Sequence, residues 1–229
     1  MEILTRKFSR PPGRQEGRDC PYNAVMTIKL YGFAGSPNVR KVNLLAAALD
    51  IPLTYVPLNL SKRDFRSPDY LAKNPNGKVP TIDDDGFVLW ESAAILRYLA
   101  AKRPERGLVP SGPLEQARVD QWLFWWTAHL EPALDRLVYE HRVKPFLGRP
   151  GINESIVAEA EATLERFLPI LDAQLASKEH ILGKLSVVDF AVSPRLDGVP
   201  ELLQVDLGPY PNLTAWLERM RAKPYWKDV

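Results

Sequence analysis

The sequence predicts a small mixed α/β unit followed by an all-helical domain, and three observations carry that reading. Strand-like patterns are confined to the stretch between residues 28 and 89. Residues 104–113 then hold three prolines and two glycines, the composition of a linker. Beyond them apolar residues recur with helical spacing and strand signals nearly vanish.

The elements follow in order from Thr27. Ile28, Lys29, Leu30 and Tyr31 alternate like a half-buried strand that stops at Gly32. Ser36-Pro37 opens a helix to Leu49, with Val39, Val42, Leu45, Ala46 and Leu49 along one stripe. Residues 53–58 form a second strand between prolines. A short helical piece over 68–73 leads to the turn Asn74-Pro75-Asn76-Gly77. Residues 79–82 and 87–89 make a hairpin around Asp83-Asp84-Asp85-Gly86, and a helix opens at Glu91-Ser92 with Ile95, Leu96 and Leu99 inward. The order β-α-β-(α)-β-β-α fits a compact α/β unit. Helices are expected over 114–140, 155–175, 187–192 and 213–222, and no repeat is visible. The predicted organisation is an extension over 1–25, a first domain over 26–104, a linker over 105–113 and a helical domain over 114–229.

Composition narrows the function. The chain has 229 residues, 45% hydrophobic and 25% charged, the make-up of an ordinary globular protein. Its apolar runs are far shorter than the ~20 residues of a membrane span. Residues 1–25 hold five basic and three acidic residues, which leaves 25 of each sign in the rest. A neutral body argues against nucleic-acid binding. Cys20 is the only cysteine, so from residue 26 onward a disulfide framework, a cysteine zinc site and a cysteine nucleophile are all excluded. His129, His141 and His180 lack metal-ligand spacing, and no metal is expected. For residues 1–25 two readings stay open: a disordered extension, or translated sequence upstream of a start at Met26. The second is favoured because Met26 opens directly into a strand. Deleting residues 1–25 is expected to leave folding and activity intact, checked by thermal melting and a turnover assay.

Three segments carry candidate chemistry. In Phe33-Ala34-Gly35-Ser36-Pro37-Asn38, Ser36 is a helix N-cap and Pro37 the first helical residue. A hydroxyl that accepts in a cap still has a proton to donate, and a helix N-terminus favours an anion. In Asn74-Pro75-Asn76-Gly77-Lys78-Val79-Pro80, the alternatives are a plain turn before an edge strand, or a cis Val79–Pro80 bond presenting the Val79 backbone to an extended peptide. In Trp90-Glu91-Ser92, the alternatives are a capping serine with a first-turn acid, or a site where Ser92 and the helix N-terminus hold a carboxylate and Glu91 an amine.

Together these segments resemble the cytosolic glutathione transferase family, in its serine-type form similar to bacterial phi, theta and nu members, from Met26 to the C-terminus. The resemblance implies a thioredoxin-like α/β N-terminal domain and an all-α C-terminal domain, glutathione as co-substrate, a homodimer and a cytoplasmic location. It further implies that Ser36 stabilises the glutathione thiolate with help from Asn38. Val79, beside Pro80, would pair with the cysteinyl backbone, Glu91 and Ser92 would bind the γ-glutamyl end, and Lys78 would lie near the glycyl side. Many members carry a His-Lys or similar pair before Ser-Pro; here Phe65-Arg66 precedes Ser67-Pro68, and Arg66 takes over the contact that Phe65 cannot make.

The implied chemistry is attack of the thiolate on a hydrophobic electrophile. Lowering a thiol pKa by about two units from about 8.5 needs roughly 2.7 kcal/mol. A hydrogen bond to a charged group supplies about 1.5–3 kcal/mol and a helix N-terminus about 0.3–1 kcal/mol. For the electrophile's pocket the candidates are Phe33, Trp122, Trp125, Trp126 and His129. Val119, Trp122, Leu123, Trp126 and Leu130 share one helix face that reads first as core, while Phe124 and Trp125 point elsewhere, to a cleft wall or a subunit interface. Ser186 and Asp189 read as a structural capping box, each expected to contribute about 0.5–2 kcal/mol. The rival functions are a non-catalytic glutathione-binding protein, and a glutathione-dependent isomerase, dehalogenase, peroxidase or reductase. A dithiol oxidoreductase would need cysteines where Ser36 and Val39 stand.

Overall fold

The computed structural model describes residues 27–149 and 151–226; the extension over 1–25, Cys20 and Met26 lie outside them. The first unit contains β1 (Ile28–Gly32), α1 (Pro37–Ala48), β2 (Leu53–Pro57), α2 (Pro68–Leu71), β3 (Thr81–Asp84), β4 (Phe87–Trp90) and α3 (Ser92–Ala101). The sheet runs β2-β1-β3-β4, with β1 parallel to β2 and antiparallel to β3, and β3 antiparallel to β4. Alternation along β1 buries Ile28 and Leu30 and leaves Lys29 exposed, so one face meets α1 and α3 through Val42, Leu45, Ile95 and Leu99.

The helical part comprises α4 (Pro113–Trp125), α5 (Glu131–Val138), α6 (Lys144–Phe146), α7 (Glu154–Leu175), α8 (Val187–Asp197), α9 (Val199–Leu203) and α10 (Pro211–Arg221). The helix expected over 114–140 is one long run with π-helical turns at Trp126–Leu130 and Tyr139–Val143. Each turn lies just before a proline, Pro132 or Pro145. Proline has no N–H and its ring crowds the carbonyl four residues back, so a wider turn there relieves the conflict.

Helix α8 runs past its expected end at 192, through Pro194, to Asp197. Ten of its eleven residues are buried, and packing on every side outweighs the local penalty of Pro194. Residues 199–203 form a short helix that periodicity did not show, because five residues with a proline have no period to read.

One apolar core runs through both parts, from Leu30 and Leu45 to Val188, Phe190 and Trp216. Within it Lys41 of α1 is almost wholly buried and ion-paired with Glu131 at the start of α5. Burial pushes the Lys41 ammonium below its usual range, with Glu131 resisting. Removing one partner of such a pair strands the other charge, and Glu131→Gln is expected to cost about 3–5 kcal/mol at pH 7. Lys41 then sits still lower in the folded state, so the unfolded chain binds more protons between the two pKa values. Stability of the variant therefore rises toward pH 10. Urea unfolding at pH 7 and pH 9, at fixed protein concentration, checks both size and sign; a deficit independent of pH would refute it.

Candidate functional site

Strand register brings the three candidate segments together. Tyr31 is opposite Thr81, and Thr81 opposite Trp90. The loop leaving β1 (33–36), the turn entering β3 (74–80) and the start of α3 after β4 therefore emerge at one end of the sheet. Gly32 pairs with Pro57, so the loop after β2, which leads to Arg66, leaves at that end too.

Ser36 caps α1: its Oγ accepts from the Val39 N–H at 3.4 Å. It is 7% exposed, lines a cleft, and its hydroxyl donates to no described residue. Beside it the Asn38 Oδ1 is buried without a hydrogen-bond partner.

The second segment is braced from behind. The Tyr70 hydroxyl donates to the Lys78 carbonyl at 2.6 Å and lies 2.9 Å from Thr81 Oγ1. The Asn74 amide donates to the same carbonyl at 2.8 Å. The Val79–Pro80 peptide is cis, and Val79's N–H and C=O bond to no described residue. Gly77 has φ +59°, and a Cβ there would come within 3.0 Å of the Arg66 guanidinium. Arg66 thus lies against the turn that carries Lys78.

In the third segment the capping-serine alternative does not hold. Ser92 is the first helical residue, not the cap; the cap position is Glu91, at φ +72°, with no side-chain hydrogen bond to the helix. A non-glycine residue held there stores strain, which tends to mark functional sites. The first N–H groups of α3 are consequently left open.

The cleft has a volume of about 700 Å³. Phe33, Ser36, Arg40 and Tyr55 form one wall, and Val138, Arg142, Arg195, Val199, Leu202 and Leu203 the other. Of the pocket candidates only Phe33 is there. Trp126 is wholly buried, 5.9 Å beneath the Lys41 ammonium. Trp125 meets Trp122 edge-on at 4.9 Å, and His129 stacks on Phe167 at 4.6 Å, a cluster bridging α4 and α7. The expectation of a cleft wall from Trp122, Trp125, Trp126 and His129 is therefore corrected. The physical reason is position along the helix run: its face reaches the cleft only at Val138 and Arg142. Phe124 is 70% exposed. Sequence reasoning missed Arg40, Tyr55, Arg142, Arg195 and all of α9. Arg40 alone had a signal, one helical turn beyond Ser36.

Among the described residues, no group of three or more His, Cys, Asp or Glu is arranged to hold a metal ion, and no helix is long and apolar enough to cross a membrane.

A thioredoxin-like sheet, a serine-capped helix facing a cleft and a helical domain closing it define the class of fold. Residues 30–107 match the family model "Glutathione S-transferase, N-terminal domain" and residues 137–224 "Glutathione S-transferase, C-terminal domain". The chain is 32% identical over 208 residues to the probable glutathione S-transferase GSTF2 of Oryza sativa subsp. japonica, covering 88% of this chain and 95% of that one. Its structure is similar to glutathione transferase F2 of Populus trichocarpa (TM-score 0.79, 27% identity, 88% and 96% of the chains). It is also similar to a glutathione transferase of Burkholderia graminis with two glutathione molecules bound per subunit (TM-score 0.78, 26% identity, 91% and 89%). The chain belongs to the glutathione S-transferase family.

Proposed function

We propose that this protein binds glutathione at the shared end of the sheet and joins it through its sulfur to a hydrophobic electrophile in the adjoining cleft. The observation that carries the proposal is Ser36: a nearly buried hydroxyl at the cleft, committed only as an acceptor, at the positive end of a twelve-residue helix. Its proton is available to a thiolate, and Asn38 assists. The Val79 N–H and C=O pair with the cysteinyl backbone. The open N-terminus of α3, with Ser92, holds the γ-glutamyl carboxylate while Glu91 holds the amine. Lys78 and Arg66 face the glycyl carboxylate. The thiolate attacks carbon, the C–S bond forms and the leaving group departs with its electron pair. No general base at the sulfur is required.

Phe87, Trp90, Leu114 and Phe124 keep large apolar surfaces in water, which supports a homodimer; light scattering behind a sizing column tests it. A cytoplasmic location belongs to the same reading, as does the domain division at 105–113. The deciding experiment combines retention on immobilised glutathione with conjugation of 1-chloro-2,4-dinitrobenzene. Retention with turnover supports the transferase, retention without turnover a binding protein, and no retention removes both.

A further inference from the structure

The cleft is apolar in its walls and cationic in its charges. Arg40, Arg142 and Arg195 line it, and no acidic residue does. The neighbouring carboxylates offset only part of this charge: Asp197 is shared between Arg40 and Arg221, and Asp135 pairs with Arg195. Four guanidiniums thus stand against two carboxylates.

Two of the arginines are placed as if for a ligand. Arg142 has no carboxylate partner among the described residues. Its Nε donates to the Leu202 carbonyl at 3.0 Å and its Nη2 to the Glu201 carbonyl at 3.5 Å. Those bonds to α9 fix the plane of the guanidinium and leave Nη1 unbonded. Arg142 lies on the π-helical turn before Pro145, four residues after Val138 at the end of α5, so one face of the helix run presents an apolar and a cationic group to the cleft. Arg195 is 8% exposed; its Nη2 donates to Asp135, while its Nε is buried without a partner. Arg142 stands exposed at the cleft with Nη1 free to donate, and Arg195 adds a second positive charge on the same wall, an arrangement that suits an anionic group on a bound molecule.

We propose that the electrophile of this enzyme carries a carboxylate, held by Arg142 and Arg195, with its apolar body against Phe33, Val138 and Leu203. This rests on the glutathione-transfer reading and adds the substrate class to it. For a chloroarene the reaction balances without redox change. The thiolate sulfur bonds to the ring carbon bearing chlorine, the C–Cl bond breaks, chloride leaves with the pair, and the carboxylate is unchanged.

The test compares 4-chloro-3,5-dinitrobenzoate with 4-chloro-3,5-dinitrobenzamide, each kcat/KM divided by its uncatalysed rate with glutathione. The expected acid-to-amide ratio is about ten or more for the native protein, collapsing toward one in Arg142→Gln and partly kept in Arg142→Lys. The ratio is taken within each variant, so a general loss of activity cancels. An unchanged ratio in Arg142→Gln, a native ratio near one, or a variant that raises only the KM for glutathione would overturn the inference while leaving glutathione transfer standing. Turnover of neither compound nor of 1-chloro-2,4-dinitrobenzene would instead sink the transfer reading. Equilibrium binding of 3,5-dinitrobenzoate against 3,5-dinitrobenzamide then decides the anion site: acid-selective binding lost in Arg142→Gln sustains it, and equal or absent binding removes it.

Discussion

Ser36→Ala is expected to lower turnover at pH 7 at least about tenfold while glutathione affinity stays within a few-fold. The size follows from the interaction removed. A hydrogen bond to a charged acceptor is worth about 1.5–3 kcal/mol, and each ~1.4 kcal/mol is a factor of ten in rate. Affinity changes little because Val79, Glu91, Ser92, Lys78 and Arg66 hold the rest of the tripeptide. The deficit should shrink with rising pH: without the hydroxyl the bound thiol ionises nearer its free value of about 8.5, so above that pH both proteins hold thiolate. Thiolate absorbance of bound glutathione, titrated from pH 5 to 10, reads this directly. Because Ser36 also caps α1, the variant loses about 0.5–2 kcal/mol of stability; Ser36→Thr restores cap and hydroxyl together and separates the two effects. An unchanged rate and thiol pKa in the alanine variant would move the role to Asn38.

The second large effect is on stability. Asp189→Ala should destabilise by about 3 kcal/mol or more, a substantial share of the ~5–15 kcal/mol that holds a domain together. Asp189 is wholly buried. Its Oδ2 accepts from the Ser186 N–H at 2.9 Å and the Ser186 hydroxyl at 3.2 Å. Its Oδ1 accepts from the Ile181 N–H at 3.1 Å and the Trp216 indole N–H at 3.0 Å. Truncation leaves three N–H groups buried and unpaired, each costing about 1–3 kcal/mol. Asp189→Asn keeps one acceptor and should cost less, and where it folds its kcat should match the native value. Urea unfolding at fixed protein concentration measures the difference; a loss of under about 1 kcal/mol would return Asp189 to an ordinary cap.

That second expectation could not be drawn from the sequence alone. Ser186 and Asp189 are three residues apart, so the capping box is legible and the structure contains it. Trp216 lies 27 residues on and Ile181 eight residues back, both outside the cap's own turn, and their hydrogen bonds turn a helix cap into the tie between α8, α10 and the segment before α8. Those added bonds raise the expected cost of Asp189→Ala above the ~0.5–2 kcal/mol of a cap alone.

The same division runs through the site. Ser36-Pro37 declared its helix start locally, since N-cap chemistry is settled within four residues. The Lys78-Val79-Pro80 turn was legible as a turn, but its bracing by Tyr70 and Thr81 was not. A capping Ser92 was one of two local readings of its segment; the structure puts Glu91, at positive φ, in the cap position instead. Trp122, Trp125, Trp126 and His129 looked like a pocket because aromatic residues line pockets and cores alike.

By itself, the sequence determined what depends on near neighbours along the chain: a half-buried strand, a capped helix, a proline-marked turn, the absence of any thiol from residue 26 onward. Tertiary structure alone decided what depends on packing between distant segments. It placed Arg142 and Arg195 on the cleft, carried α8 through Pro194, buried Lys41 against Glu131 and kept Trp122, Trp125 and Trp126 off the cleft lining. The physical reason is range. Caps and turns are closed by hydrogen bonds within a few residues, whereas a cleft is the space left between surfaces that meet only after the chain has folded.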